Sequence, residues 1–392
     1  MADGSRHSLR MVAESTYGTT PTTPVFDIIR HTGTTLGLSK EGVQSEEIRD
    51  DRQITDFRHG ARQVGGDINI ELSYGSFDVI LEALLGGTWA PKATITATTI
   101  SALASDNSYN DSGSGFVAAG FEVGDDVVVT GFTGDVDNNI TSGIVTAVTA
   151  GKLTIGGTDG DVIVDDAAGE SVTIATREHV LKAGTTRRSF TIERFFGDIQ
   201  TADKPYHRFT GVEFNTLSLA INANAMVTGT VGVVGQDMAT DTVIVTGATY
   251  NQASTTSPLD SFTGSLKEGG SLIAVITEIS LELNNGLDPR FVVGSKASIK
   301  PSIGRSNVSG QVTAFFENST LLDKFINETE TSIEFSLPDG AGNVQTYLMS
   351  RVKYTGGQPD VEGEGPITLA MPFQALLHDA SGTNIQISRK PA

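Results

Sequence analysis

A strand that passes directly into a helix occurs twice in this chain, and this repeat constrains the fold more than any other feature. The first copy, GGDINIELSYGSFDVILEALLGG, spans residues 65–87. Ile68, Ile70 and Leu72 alternate with polar residues, which is the two-residue period of a half-buried strand. A Ser that can cap a helix follows, and the next apolar residues are spaced three or four apart on one helical face. Because a helix of about three turns is marginal alone, we expect it to lie on its own sheet.

The second copy, SGQVTAFFENSTLLDKFIN at residues 309–327, has the same order of strand, cap and helix. Val64 and Gly66 recur as Val308 and Gly310, each 244 positions later. A long segment rich in charge precedes each copy, at residues 40–62 and 284–305. The ordered repeat indicates that one β fold carrying a helix occurs twice. The residues predicted to form the two strand-to-helix junctions are Ser76, Phe77, Ile80, Leu81, Leu84, Ser319, Leu322, Phe325 and Ile326.

Composition predicts a mainly β protein and narrows its chemistry. The chain has 44 Gly, and its Thr and Val residues recur in alternating runs. A formal charge of −20 repels nucleic acid, so we do not expect binding driven by counterion release. The absence of Cys excludes disulfides, zinc–thiolate sites and Cys nucleophiles. No apolar run is long enough to span a bilayer, which predicts a soluble protein made in a cytoplasm.

The chain divides by composition into a host β fold and an acidic insert. Between Lys92 and Glu178 there are 13 acidic and 3 basic residues, half of the excess negative charge in less than a quarter of the length. We expect this segment to be a small β domain that faces solvent. The predicted organisation is an N-terminal arm (1–24), a first host domain (25–90 with 179–236), the outward-facing insert (91–178), a Ser/Thr/Gly-rich linker (237–270) and a second host domain (271–392).

The search for chemistry predicts no catalytic residue, no metal site and no cofactor. The six His residues are scattered, and no nucleophile elbow, Walker loop or dinucleotide fingerprint occurs in its required context. Asp135, Asp137 and Asn139 have the first three spacings of a calcium loop. Ile140 stands where that loop needs Gly, and no Glu closes it, so an acidic turn is favoured.

The segments that carry the repeat resemble the tail tube (major tail) proteins of long-tailed, non-contractile bacteriophages. The resemblance rests on the ordered set of residues 34–87, the segment HRFTGVEFNTLSLAINANAMVTGTVGVVGQ, the stretch SFTGSLKEGG with the strand after it, and the second junction with the tail SRVKYTGG and MPFQALL. It covers most of residues 25–390 apart from the insert.

The resemblance implies a structural function and a fold. Such proteins stack as rings into a hollow tube through which the genome leaves the virion. Each tube domain is a β-sandwich or barrel with a flanking helix, and the inner sheets of neighbours join into a lumen wall. Two tube domains in one chain imply three chains per pseudo-sixfold ring, with closure removing the open sheet edges.

The same resemblance implies partners and location. The partners are further copies of the chain, the tape measure protein, the tail terminator and distal tail proteins, and phage DNA in the lumen without sequence-specific binding. No membrane is involved, and the protein is expected in the virion after assembly in the cytoplasm of the host bacterium.

Long loops in such proteins reach between rings, so the two charged segments are predicted to be inter-ring arms. The predicted residues of arm 1 are Glu41, Glu46, Glu47, Arg49, Asp50, Asp51, Arg52, Phe57 and Arg58. The predicted residues of arm 2 are Asp288, Arg290, Phe291, Lys296, Lys300 and Arg305.

Two other functional classes remain open from the sequence alone. One is a carbohydrate-binding or adhesin-like β protein that uses residues 91–178 as its binding module. An adhesin more often has platforms of Trp and Tyr, and this chain has one Trp and seven Tyr. The other is a β-rich hydrolase, for which the sequence contains no catalytic constellation.

Overall fold

The computed structural model of the protein describes residues 2–157, 163–361 and 363–392. The chain divides into two compact units. The larger unit comprises Met1–Gly87, Lys182–Gly340 and Tyr347–Gln386, and the smaller comprises Thr88–Leu181, Ala341–Thr346 and Ile387–Ala392. Within the described residues, no helix is both long enough and apolar enough to cross a bilayer.

The protein is mainly β, as predicted, with a few short helices. The first elements in chain order are β1 (His7–Ala13), β2 (Val25–Ile29), β3 (Gly33–Thr34), β4 (Gly37–Gln44), β5 (Phe57–Glu71) and α1 (Asp78–Leu85). The elements that follow up to residue 182 are β6 (Ala90–Pro91), β7 (Thr94–Ala97), β8 (Ile100–Leu103), β9 (Ser108–Asp111), α2 (Phe116–Ala119), β10 (Val127–Thr130), β11 (Ile144–Thr149), β12 (Lys152–Gly156), β13 (Val172–Thr176) and β14 (His179–Lys182).

The remaining elements begin at residue 190. The first eight are β15 (Phe190–Phe196), β16 (Tyr206–Asn222), β17 (Thr228–Gly235), β18 (Asp237–Asp241), β19 (Thr249–Asn251), β20 (Ser265–Glu268), β21 (Ser271–Leu272) and β22 (Ile276–Asn284). The rest are β23 (Asp288–Arg290), β24 (Ile299–Ser302), β25 (Asn307–Phe315), α3 (Thr320–Ile326), β26 (Thr331–Pro338), β27 (Val344–Tyr354), β28 (Pro359–Asp360), β29 (Thr368–Ala375) and β30 (Gln386–Lys390). Short 3-10 turns lie at Gly4–Arg6, Ala104–Asp106, Val136–Asn138 and Thr201–Asp203.

The larger unit contains one long antiparallel sheet in the spatial order β4, β5, β17, β16, β22, β25, β29. Side chains alternate across it, as the pleat requires. One face is buried and includes Ile68, Leu219 and Leu281. The last residues of β27 and both residues of β28 pair with the outer side of β29.

A second sheet is linked to the first through β16. The first half of β16 pairs with β15 and β18, and its second half pairs with β17 and β22. Its register shifts between Phe214 and Thr216, a bulge of the kind that lets a strand pass from one sheet to another.

The prediction of an arm at residues 1–24 is wrong for His7–Ala13. These residues form β1, which pairs with β15 and β2, and Leu9 is fully buried. β15, one of the two strands that stabilise β1, lies 177–189 positions away, and no local pattern reveals this pairing.

The linker interpretation of residues 237–270 is also wrong in part. β18 pairs with β16, β19 pairs in parallel with β2, and β20 pairs with β26. Leu259 and Leu266 are buried. Strand pairing satisfies the backbone groups of this polar segment, so its Ser and Thr content did not indicate disorder.

The two predicted helices exist, but they differ in burial. Ile80, Leu81 and Leu84 of α1 are buried, and α1 packs against β16. Gly86 ends the helix in the left-handed conformation, with φ of 65°. In α3 no residue is buried: Leu322 and Phe325 are half-buried and Ile326 is 64% exposed. The prediction that the second helix also buries an apolar stripe on its sheet is therefore wrong.

Ser76 is not the N-cap of α1. Phe77 occupies that position, and no side chain caps the helix there. The Ser76 hydroxyl is engaged instead with Ser73 at 2.7 Å and Thr256 at 3.0 Å. At α3 the predicted Ser319 does occupy the N-cap position, without a side-chain hydrogen bond.

The smaller unit contains two sheets of its own. β7, β13 and β10 form one, and β8, β9, β12 and β11 form the other. Its buried core includes Tyr109, Phe116, Phe132 and Leu153. The Thr176 N–H donates to the Ala93 carbonyl at 2.9 Å, so the two ends of the inserted segment lie together. Its outward-facing placement stays a prediction.

Candidate functional site: hairpin arms and open sheet edges

Arm 1 is a β-hairpin rather than the irregular loop that its charge suggested. β4 and β5 pair from Gly37 opposite Gly65 to Gln44 opposite Phe57. The tip, residues 45–56, is closed where the Ser45 N–H donates to the Asp56 carbonyl at 3.0 Å. At about 3.4 Å per residue, the hairpin projects roughly 25 Å beyond Gly37 before its tip.

The tip of arm 1 displays apolar side chains that have no support from their own chain. Ile48 is 99% exposed and Ile54 is 64% exposed. Exposed apolar groups at the end of a projecting hairpin are typical of a contact surface. The other predicted residues on this hairpin are also exposed: Glu41, Glu46, Glu47, Asp50, Arg52 and Phe57.

Some charges of the tip are paired locally. Arg49 lies 2.7 Å from Asp51, and Arg58 lies 2.7 Å from Asp56. The hydrogen bond from Arg49 lowers the pKa of the Asp51 carboxyl below its ordinary value. These pairs stiffen the tip, while exposure keeps their contribution to stability small.

Arm 2 is a shorter hairpin of β23 and β24. The Arg290 guanidinium donates to the Lys300 carbonyl at 2.8 Å, and Phe291 is 41% exposed. The two arms contact each other where the Arg62 N–H of β5 donates at 2.7 Å to the carbonyl of Lys296, in the loop between β23 and β24. The predicted arm residues Asp288, Arg290, Lys296, Lys300 and Arg305 are all exposed.

The long sheet consists of two equivalent halves of four strands. The first half has the order β4, β5, β17, β16, and the second has β22, β25, β29, then β27 with β28. In both halves the strand that comes third in the sheet is the last of the four along the chain. Leu38 pairs with Val64 in the first half as Leu283 pairs with Val308 in the second.

The repeated glycines have the same physical role in both halves. A Cβ on Gly66 would lie 2.7 Å from the Thr35 carbonyl oxygen, and one on Gly310 would lie 2.2 Å from the Ser280 carbonyl oxygen. At each position the neighbouring backbone approaches too closely for a side chain. The division of the chain into two tube domains stays a prediction, to which this equivalence gives support.

The joint between the halves is an ordinary strand pair. β16, the last strand of the first half, pairs with β22, the first strand of the second, from Thr216 opposite Asn284 to Asn222 opposite Glu278. Two edges therefore remain open: β3 with β4 at one end, and β28 at the other. Among the described residues, β3 and β4 pair only with β5, and β28 pairs only with β29.

Sequence reasoning missed two buried charge networks. Glu193 is fully buried between Arg10 and Arg208, with both N–O distances 3.0 Å. His7, His31 and Arg194 form a second, half-buried network beside the β3 edge. The alternation in FTIERFF predicts the strand, but the charged partners come from distant segments and leave no local signal.

The predicted acidic turn at Asp135 is a 3-10 turn in which the Asp135 carboxylate accepts from the Asp137 N–H. Over the parts of the chain that the structure describes, no cluster of three or more His, Asp or Glu side chains is arranged to hold a metal ion.

Comparison with known proteins identifies the class. The family model described as phage tail tube protein matches residues 4–375, nearly the whole chain. No curated protein matches the chain. The chain belongs to the phage tail tube protein family, a family of structural components of the virion.

Proposed function

We propose that this protein forms rings of three chains that stack into the tail tube of a long-tailed, non-contractile phage, and that the genome leaves the virion through this tube. The single observation that carries the proposal is the β16–β22 joint. It shows that the last strand of one half binds the first strand of an equivalent half. The same joint made between chains uses β28 of one chain and the β3–β4 edge of the next.

Repetition of this joint satisfies the open strand edges. An unpaired edge exposes backbone donors and acceptors and is a hazard for uncontrolled association. A heterologous joint that closes on itself removes every such edge. Three chains supply six equivalent halves, which gives a pseudo-sixfold ring.

The face of the long sheet opposite the core suits a channel for DNA. Across β5 to β29, its rows contain side chains such as Asp67, Asn69, Ser218, Glu282 and Gln311. Between β5 and β29 these rows carry no Lys or Arg, and in β27 the row of Gln374 continues to Lys353. Carboxylates and neutral polar groups do not release counterions from DNA, so a wall dominated by them retains DNA weakly.

The arms supply the contact between rings in this proposal. Exposed Ile48 and Ile54 at the tip of arm 1 would bury apolar area against the next ring, and each fully buried side chain of this size contributes about 1.5–3 kcal/mol. The insert is proposed to face outward, and the tape measure, terminator and distal tail proteins are the proposed tail partners. Assembly is proposed to take place in the host cytoplasm.

The experiment is negative-stain microscopy of the purified protein at high concentration. The proposal predicts rings and tubes, and a strictly monomeric protein in all conditions would contradict it.

A variant of the arm 1 hairpin distinguishes the formation of rings from the stacking of rings. Replacing residues 45–56 with Asn-Gly retains the Gln44–Phe57 pair and closes the hairpin with a two-residue turn. We expect folded subunits and single rings without tubes. Tubes of normal length would show that arm 1 does not connect rings.

The matched control removes a different part of the chain, the insert. Deleting residues 93–176 is expected to leave tubes intact, because the Lys92 N–H already donates to the Glu178 carbonyl at 2.8 Å, so a short turn can join the two flanking ends. Loss of folding in this variant would show that the insert is required by the host fold.

A further inference from the structure

Two cavities in the larger unit occupy equivalent positions in its two halves. The correspondence follows from strand register: Thr34 pairs with Ile68 as Ile279 pairs with Val312. In the same way, β1 pairs with β15 as β20 pairs with β26, with Leu9 opposite Arg194 and Leu266 opposite Phe335. The register therefore matches His7 with Gly264, Arg194 with Phe335, Phe196 with Leu337 and His31 with Ile276.

The cavity of the second half lies at the joint inside the chain, and its lining mixes apolar and polar side chains. It has a volume of about 420 Å³, and Phe335, Leu337 and Ile276 line it together with Thr277, Glu278 and Ser336. One side is supplied by the end of β16, through Ile221, Ala223 and Asn224. The strand that makes the joint thus also completes this cavity.

The cavity of the first half is polar and lies at the open β3 edge. It has a volume of about 510 Å³ and is lined by His7, His31, Thr34, Arg194 and Phe196, with Asp3 also in the lining but not paired with Arg194. The positions that contain Phe335 and Ile276 in the cavity of the second half contain a guanidinium and an imidazole here. Among the described residues, no strand of the same chain corresponds to the end of β16 at this cavity.

The hydrogen bonds of the polar cavity leave a net positive group at its centre. Arg194 Nε donates to His7 Nε2 at 3.2 Å, so that nitrogen carries no proton. His7 Nδ1 therefore donates to His31 Nε2 at 2.9 Å, and His31 Nδ1 donates to the Ile29 carbonyl at 3.1 Å. Arg194 also donates to the Leu36 carbonyl at 2.6 Å. In the described part of the chain, Arg194 has no carboxylate partner, although burial lowers its pKa.

The missing side of the polar cavity exists at the far edge of the same sheet. Val231 opposite Ile68 corresponds to Met371 opposite Val312, so the C-terminal strands repeat 140 positions later. Leu219, paired with Gly229, corresponds to Pro359, paired with Leu369. Continuing this register matches Ile221, Ala223 and Asn224 with Val361, Gly363 and Glu364. All three of the latter are exposed, and Glu364 makes no described hydrogen bond or ion pair.

We propose that Val361, Gly363 and Glu364 of one chain complete the polar cavity of the next chain, with the Glu364 carboxylate beside Arg194. This inference rests on the proposed ring and identifies the residues of its joint. A carboxylate supplies the charge that the half-buried guanidinium lacks, and such a pair is stronger away from bulk water. At the matched positions the joint inside the chain contains Phe335 and Ile276, whereas the joint between chains contains Arg194 and His31, so each edge selects its own partner.

The first test uses disulfide cross-linking, for which the absence of native Cys leaves a clear background. Ile221 pairs with Ile279 inside the chain, so the register places Val361 opposite Thr34 of the next chain. Directly opposed residues in antiparallel strands have the separation that a disulfide needs. We expect the double variant Val361→Cys, Thr34→Cys to give covalently closed rings of three chains on oxidation.

The matched control moves one Cys along the same edge. The pair Val361→Cys, Ser39→Cys displaces the thiol by five residues, or about 17 Å, and is expected to remain uncross-linked within rings. If both Cys pairs cross-link equally, or if neither pair cross-links although microscopy shows rings, the inference is wrong and the proposed ring still stands. Absence of rings from the unmodified protein would overturn both.

The second test reverses charge on the exposed side of the joint. Glu364→Arg faces Arg194 with a like charge and is expected to weaken ring formation at least tenfold by analytical ultracentrifugation, because juxtaposed like charges cost several kcal/mol. Lys390→Glu is a control reversal outside the proposed joint and is expected to change the association constant less than threefold. Adding Arg194→Glu to Glu364→Arg should restore association, and if that protein does not fold, the cross-linking result decides. An unchanged association constant for Glu364→Arg would contradict the pairing.

Discussion

The buried carboxylate of Glu193 gives the sharpest prediction about the subunit itself. Its side chain is fully buried and lies 3.0 Å from Arg10 and 3.0 Å from Arg208. The Tyr250 hydroxyl also lies 3.2 Å from this carboxylate. Burial, and to a smaller extent the charge of Glu193, raises the pKa of Tyr250 to about 12. The network connects β1, β15, β16 and the segment that composition suggested was a linker.

Glu193→Gln preserves the shape of the side chain and removes its charge. Arg208 retains a carboxylate partner in Asp241 at 2.7 Å, but Arg10 has no second described carboxylate. Removing one member of a buried ion network leaves an uncompensated charge and typically costs about 3–5 kcal/mol. Arg10 also lies 4.2 Å from the ring centre of Tyr250 and 4.5 Å from that of Phe195, so these ring contacts remain in the variant.

The assay is urea denaturation of unassembled subunits followed by far-ultraviolet circular dichroism. We expect the Glu193→Gln variant to lose about 3–5 kcal/mol of unfolding free energy with an unchanged denaturant slope. The control is Glu330→Gln, which breaks an exposed 2.7 Å pair with Arg351 and should leave the midpoint almost unchanged. A shift for Glu193→Gln no larger than that of the control would refute the reasoning.

Three further predictions concern acid sensitivity, the repeated glycine and the two helices. Burial, and to a smaller extent the charge of Arg194, lowers the pKa of His7 to about 4. His7 therefore binds a proton below about pH 6.5 in the unfolded chain, but only below about pH 4 in the folded chain. The free energy of unfolding should therefore fall by up to about 3 kcal/mol between these pH values, and it should fall less in His7→Gln. Urea titrations at pH 7 and pH 4.5 measure this difference. Gly310→Ala should cost about 1–3 kcal/mol, because its Cβ would meet the neighbouring backbone; a neutral result would contradict the close approach. Leu81→Ala in α1 should cost about 2–5 kcal/mol and half-buried Leu322→Ala in α3 clearly less, and equal losses would show that both helices are packed alike.

The sequence predicted those features whose cause is local. The alternation of Ile68, Ile70 and Leu72 predicted the buried face of β5, and the spacing of Ile80, Leu81 and Leu84 predicted the packed face of α1. Gly86 ended that helix as expected because only a residue without a Cβ adopts its backbone conformation at low cost. The repeat also indicated a long segment before each strand-to-helix junction, without its hairpin structure.

The features that depend on distant partners were not predictable in this way. Leu9 is buried because β1 finds β15, and Ser76 fails to cap α1 because Ser73 and Thr256 engage its hydroxyl. The charged residues 40–62 form a hairpin because pairing satisfies their backbone groups, whatever their side chains. α3 has an apolar spacing like that of α1, yet Ile326 remains exposed, since a pattern does not show whether a partner surface is present.

The candidate arm residues also show that the sequence predicted local features and missed those that depend on distant partners. Charge and length correctly located two exposed segments, including Arg49 and Arg290. Their role between rings stays a prediction. Arg194 and Glu364 escaped attention because they lie 170 positions apart in sequence, and only the register of the two halves relates them.

The number of chains in one ring tests the central claim most directly. If the β16–β22 joint repeats between chains, electron microscopy of tubes viewed end-on should show six equivalent sheet segments. Native mass spectrometry of a single ring should then give the mass of three 41.2-kDa chains. A ring of six chains would contradict the claim that the β16–β22 joint repeats between chains. So would a number of sheet segments that is not twice the number of chains.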